Sequence, residues 1–117
     1  MGALLSASFA QKLSWWKRVS TSGFGQPIFA APRILRCRWE ARAEQVIGPD
    51  GESVSSQARA FIDVDVSPGD WMAEGIHVDA DPHKVDGAFM IIHFKRIPDL
   101  FAVEFERTAY LSLGGAP

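Results

Sequence analysis

The chain has a single cysteine, Cys37, so it can form neither an internal disulfide nor a zinc site built of cysteines. That excludes a small secreted scaffold stapled by disulfides, and a reducing compartment is expected. Nowhere do about eighteen apolar residues run together, so no segment is long enough to span a bilayer as a helix. The opening "MGALLSASFA" has a short apolar run with no basic residue before it, and Met1–Gly2 with Ser6 is the one cue for lipidation, from which no anchor is expected. Internal repeats and low-complexity tracts are missing. A glycine-rich phosphate loop is missing too, since "GFG" at 23–25 lacks the flanking strand, helix and lysine.

The 117 residues suit one domain with a self-sustaining core. With 47% hydrophobic and 22% charged residues, the balance is that of a chain that folds. The net charge of −2 hides an asymmetry. Residues 1–42 carry seven bases against Glu40, a net +6, and the remainder carries five bases against thirteen acids, a net −8. Three readings follow: contact of the basic part with nucleic acid, self-association of basic against acidic surfaces, or pairing of opposite charges within one subunit. No dense lysine-arginine block supports the first, and "WWKR" at 15–18 and "FKR" at 94–96 are the only places where aromatic and basic residues interleave.

Hydrophobic period divides the chain. Phe9, Leu13 and Trp16 stand at helical spacing, so residues 6–16 can make a short amphipathic helix, after which "STSGFGQPIFAAP" breaks any pattern with glycine and proline. Residues 1–32 therefore read as an arm and loop. Its aromatics Trp15, Trp16, Phe24 and Phe29 call for a cover, supplied either by a neighbouring molecule or by the chain's own core. From Arg33 the period becomes two: Leu35, Cys37, Trp39, Ala41 and Ala43 alternate with Arg36, Arg38, Glu40, Arg42 and Glu44. After the Pro49-Asp50-Gly51 turn, Val54, Ala58, Ala60, Ile62, Val64 and Val66 fall opposite Gln57, Arg59, Asp63 and Asp65, giving a hairpin with one apolar and one charged face. A short strand at Trp71–Ala73, a polar excursion, the apolar "AFMIIHFKRI" and the alternating "FAVEFERTAYL" complete the pattern. Five or six strands with closely spaced turns and little helix predict an all-β fold, an antiparallel sheet closed into a small barrel so that no edge is left open. The barrel domain is expected over 33–113, with a short tail at 114–117.

Chemistry-bearing residues are sparse. His77, Asp79, Asp81 and His83 recur at every second position and form a weak candidate metal set, opposed by Pro82 and by the lack of a second ligand cluster. His93 lies inside the strongest strand with no serine or cysteine nucleophile near it in sequence, and Asp63 with Asp65 reads as surface charge. Cys37 is placed on the apolar face as a small hydrophobe. No catalytic residues, no cofactor and no resident metal are expected.

The order of features resembles small head-tail joining proteins of tailed bacteriophages. The resemblance runs over about residues 33–113 and rests on "RWE" at 38–40, "DGE" at 50–52, "SSQA" at 55–58, "DVDV" at 63–66 and "GD" at 69–70. It implies a head-closure or stopper-like virion subunit, repeated as a ring of about six or twelve copies in the neck between a portal or adaptor protein and a tail protein. Such a subunit assembles in the host cytoplasm, lies near packaged DNA without reading its sequence, and contacts no membrane. The resemblance also suggests an interface made by Trp15, Trp16, Phe24, Phe29, Arg36, Arg38, Arg42, Asp63, Asp65 and Glu104. The loop with His77, Asp79, Asp81, His83, Lys84 and Asp86 would face the channel or the tail. Pairing of the same arginines within their own hairpin remains open beside this. So do other identities: a tail-end or capsid-surface protein, or a cellular small-barrel binding module.

Overall fold

The computed structural model describes residues 11–47, 50–98 and 105–112. They form ten strands: β1 (Gln11–Trp16), β2 (Arg18–Thr21), β3 (Pro27–Phe29), β4 (Arg33–Glu40), β5 (Glu44–Ile47), β6 (Ser53–Ser56), β7 (Ala58–Ile62), β8 (Trp71–Glu74), β9 (Ala88–Pro98) and β10 (Phe105–Ser112). One 3-10 turn, Pro82–Lys84, interrupts the connection between β8 and β9. Six strands close into an antiparallel barrel in the order β1-β4-β7-β10-β9-β8, with β8 returning to β1. The all-β barrel read from the alternation is therefore the fold. No helix among the described residues is long and apolar enough to cross a membrane.

Side chains from every wall fill the barrel: Leu13 and Trp15 from β1, Leu35 and Cys37 from β4, Ala58, Ala60 and Ile62 from β7, Met72 from β8, Ile91 from β9, and Ala109 and Leu111 from β10. Three alanines on adjacent strands, with Ala60 opposite Ala109, leave room inside for Trp15 and the partly buried Trp39. Pairing large side chains with small ones is how a narrow barrel is packed without voids. The register of β10 on β9 shifts between Tyr110 and Leu111, so Ile91 and Ile92 are both buried. A bulge of this kind bends a strand and eases closure.

Cys37 is fully buried, as its place on the apolar face predicts, and burial followed by the charge of Glu74 pushes its thiol up to about 12. Thiolate is the reactive form, so the native protein is expected to leave a chromogenic disulfide reagent untouched at pH 8 and to react with one equivalent once unfolded in urea. Rapid labelling of the native chain would contradict this placement.

Two expectations are corrected by the fold. Residues 11–16 are a barrel strand and not part of a helix, and the barrel begins ahead of Arg33; Phe9 lies outside the described residues. Leu13, Ser14, Trp15 and Trp16 are all buried because β1 is covered on both faces, which erases the period of two. The long hairpin is also divided. β4 pairs with β1 over most of its length and with β7 only at Arg38, Trp39 and Glu40. Beyond an exposed break at Ala41–Ala43, β5 and β6 form a separate two-stranded ribbon. Gly51, with φ of 85°, and the Glu52 N–H donated to Asp50 Oδ1 (3.1 Å) shape the described part of its turn.

Candidate functional site

Two surfaces carry the side chains that composition and spacing single out. The first is the outer face of β4, β7 and β10. Glu40 accepts from Arg38 Nη2 and Arg59 Nε, each at 2.7 Å, and Arg59 Nη1 reaches Glu44 at 3.3 Å. Phe61 is buried on this charged face because the Arg38 and Arg59 guanidiniums lie 5.0 Å and 5.2 Å from its ring centroid. Asp65 accepts from Arg107 Nε at 2.6 Å and from Arg96 Nη1 at 2.8 Å. Hydrogen bonds from Arg38 and then Arg59 hold Glu40 below the usual carboxylate range, and Arg107 does the same to Asp65. Among the arginines of β4, Arg38 is thus engaged within its own chain, and Arg33 lies 5.9 Å from the Trp15 ring. Arg38 and Asp65, expected at a subunit interface, make ion pairs inside one molecule, Arg38 with Glu40 on its own strand and Asp65 with Arg96 of β9 and Arg107 of β10, and both stay exposed.

These depressed carboxylates set a pH dependence. Their folded pKa values lie below the ordinary 4.5 and 3.8, so their contribution is complete above those values and is lost as pH falls through the folded ones. The double variant Glu40→Gln with Asp65→Asn is expected to show a shallower loss of stability than the parent below about pH 4.5, and little difference near pH 7 beyond the modest worth of surface pairs. Urea titrations at several pH values check it; parallel acid limbs would refute it.

The second surface is a layer laid over the outer faces of β1, β8 and β9. Trp16, Trp71, Ala73 and Ala88 are buried there beneath Phe29, Val85 and Met90. The Gly75 N–H donates to Lys12 O at 2.8 Å, Ser14 Oγ donates to Gly75 O at 2.9 Å, and the His77 N–H donates to Ser14 Oγ at 2.8 Å. Trp16 Nε1 donates to Asp79 O at 2.8 Å. The His83 ring packs 4.6 Å from Trp71 and 5.8 Å from Phe29, while Asp81 accepts from the His83 N–H and faces its Nδ1 at 2.9 Å. Burial opposes ionisation of Asp81, but these contacts to His83 outweigh it and hold the carboxyl below its usual range.

Of the expected interface aromatics, Trp15 and Trp16 complete their own chain's two cores and Phe29 is half-buried on Trp71 and His83, whereas Phe24 is 96% exposed. Arg36, Arg42 and Asp63 are exposed, and Glu104 lies outside the described residues. The set His77, Asp79, Asp81 and His83 does not converge: among the described residues no three histidine, cysteine or acidic side chains gather to hold a metal ion. Pro82 starts the 3-10 turn that ends the extended spacing, and the two imidazoles turn onto Trp16 and Trp71 instead. Lys84 and Asp86 stay exposed on the rim of an open cleft of about 420 Å³, lined also by Ile76, His77, Val78, Asp79 and Val85.

Sequence reasoning missed Asp70. Its carboxylate is 3% exposed and accepts from Trp15 Nε1 at 3.1 Å, Arg18 N at 2.9 Å and Ser67 N at 3.1 Å. The "SPGD" turn marks the place, but nothing local reveals that donors more than fifty residues away meet there. Every buried side-chain nitrogen or oxygen among the described residues has a partner, so the buried polar groups serve the fold. Comparison with protein-family models, with curated proteins and with solved structures finds no match for this chain.

Proposed function

We propose that the chain is a structural virion protein of the head-closure kind, a barrel that repeats as a ring in the neck of a tailed phage and joins portal or adaptor to tail. The motif order over 33–113 suggests the role, and a closed antiparallel barrel suits it. One observation carries the assembly part of the reading. The β2–β3 ribbon projects Phe24 into solvent, with Val19 at 55% and Ile28 at 43% exposure beside it, and apolar surface of this kind is covered when a partner binds. The ribbon joins the exposed Arg36, Arg38 and Arg42 as surface on which a neighbouring subunit would pack.

The test is co-sedimentation of the purified chain with the portal ring encoded in the same genome, followed by electron microscopy. A stoichiometric collar on the portal is the expected result. Absence of any collar, at concentrations where the chain is folded and in excess, would overturn the reading.

A further inference from the structure

The chain has no asparagine, so deamidation at that residue is closed to it, but two of its eight aspartates precede glycine, in Asp50–Gly51 and Asp86–Gly87. An aspartyl-glycine link is the one most open to rearrangement, because glycine has no side chain to shield its backbone nitrogen from the neighbouring carboxyl. Both pairs are exposed, and at neither glycine does any atom outside its chain neighbours lie within 4 Å of where a Cβ would stand. Space therefore does not distinguish them.

Hydrogen bonding does. Asp50 Oδ1 accepts the Glu52 N–H at 3.1 Å, which commits that carboxyl to the residue beyond Gly51. Asp86 makes no hydrogen bond or ion pair among the described residues. Its turn is closed around it by the Ala88 N–H, donated to Val85 O at 3.2 Å, with Gly87 at φ of 79°. In a turn closed between its first and fourth residues the N–H of the third takes no part in the closing bond. The Gly87 N–H accordingly has no acceptor among the described residues. Carboxyl and nitrogen are adjacent, wet and uncommitted.

We infer that Asp86–Gly87 is a site of spontaneous aspartyl isomerisation in the folded protein, and that the fold protects Asp50–Gly51 relative to it. The Gly87 nitrogen attacks Asp86 Cγ: an N–Cγ bond forms, the nitrogen gives up its proton and the carboxyl loses an oxygen as water, leaving a succinimide ring. Water then adds back. Addition at the Asp86 backbone carbonyl breaks its bond to the Gly87 nitrogen, so the chain runs through the side chain and the former backbone carbonyl becomes a free carboxylate; addition at Cγ restores the aspartate. No co-reactant other than water is consumed. The isomer places one extra methylene between Val85, which packs against the cluster of Trp16 and Trp71, and Ala88, the first residue of β9. The site would age in this way whether or not the chain builds a ring.

Peptide mapping of the full chain tests it. The protein is aged in warm, mildly acidic buffer, folded in one arm and unfolded by guanidinium in the other, then digested, and the isoaspartyl fraction at each pair is read by mass spectrometry. In the folded arm the 86–87 peptide is expected to convert faster than the 50–51 peptide. The ratio of the two rates should be roughly threefold higher than in the unfolded arm, where Asp50 has lost its bond to Glu52, since one exposed hydrogen bond is worth about that factor. An Asp86→Glu chain, whose carboxyl would have to close a larger ring, should lose the signal at 86 and keep the one at 50. Equal ratios in the two arms, conversion led by 50–51 in the folded arm, or no isoaspartate at 86–87 overturns the inference.

Discussion

Replacing Asp70 with alanine is expected to cost about 3–5 kcal/mol, among the largest single losses in the molecule. The carboxylate is the shared acceptor for Trp15 Nε1, Arg18 N and Ser67 N, and it ties β1, the start of β2 and the turn before β8 into one corner. Truncation strands three donors, the Trp15 indole N–H in a buried bond and the Arg18 and Ser67 N–H groups in part-buried ones, and each unsatisfied buried group costs on the order of 1–3 kcal/mol. The corner is held from a second side as well, since Gly69 N donates to Ile91 O and Ile91 N to Asp70 O, so it relaxes only by disturbing the edge of β9. Asp70→Asn should fall between parent and alanine variant: one oxygen remains, but the amide turns its own N–H groups toward donors. Urea denaturation followed by tryptophan emission reads all three chains. An alanine variant within about 1 kcal/mol of the parent would show that the three bonds are replaceable.

Trp16→Ala is expected to cost about 3–5 kcal/mol and to do so by a different route. Trp16 is fully buried, yet it lies outside the barrel interior, between the outer wall and the layer formed by Phe29, Val85 and Met90. Removing the indole opens a cavity there and leaves Asp79 O without its donor. The loss should therefore be concentrated in the 75–87 connection. Hydrogen exchange at the His77 N–H, which is bonded to Ser14 Oγ, should accelerate far more than exchange within β7 and β10. Uniform acceleration across the barrel would mean that the outer layer and the barrel unfold as one unit.

These two residues show where the sequence was legible. The alternation in β4 and β7 placed Leu35, Cys37, Ala58, Ala60 and Ile62 inside correctly, because an antiparallel strand wetted on its outer face keeps a period of two. β1 defeated the same rule. Ser14 and Trp16 point outward but are covered by the 75–87 connection and Phe29, so four consecutive residues are buried and the helical spacing of Leu13 and Trp16 is accidental. Phe61 is the reverse case, an aromatic on a charged face, stabilised by two arginines that only the pairing of β4 with β7 brings together. The histidines at 77 and 83 looked like ligands because spacing was the only information available. In the folded chain aromatic neighbours from β1, β3 and β8 occupy their faces.

The sequence by itself determined the all-β class, the windows of most barrel strands, the burial of the lone thiol and the separation of charge along the chain. Each of these depends on alternation or composition within a few residues. Only the tertiary structure decided the order in which the strands close, that Trp15 and Trp16 serve their own chain, that Asp65 finds Arg96 and Arg107, and that Phe24, alone among the described aromatics ahead of Arg33, is left in water. Those outcomes depend on which strands meet across tens of residues and on a second layer that buries a strand's outer face, and neither leaves a mark in the local pattern.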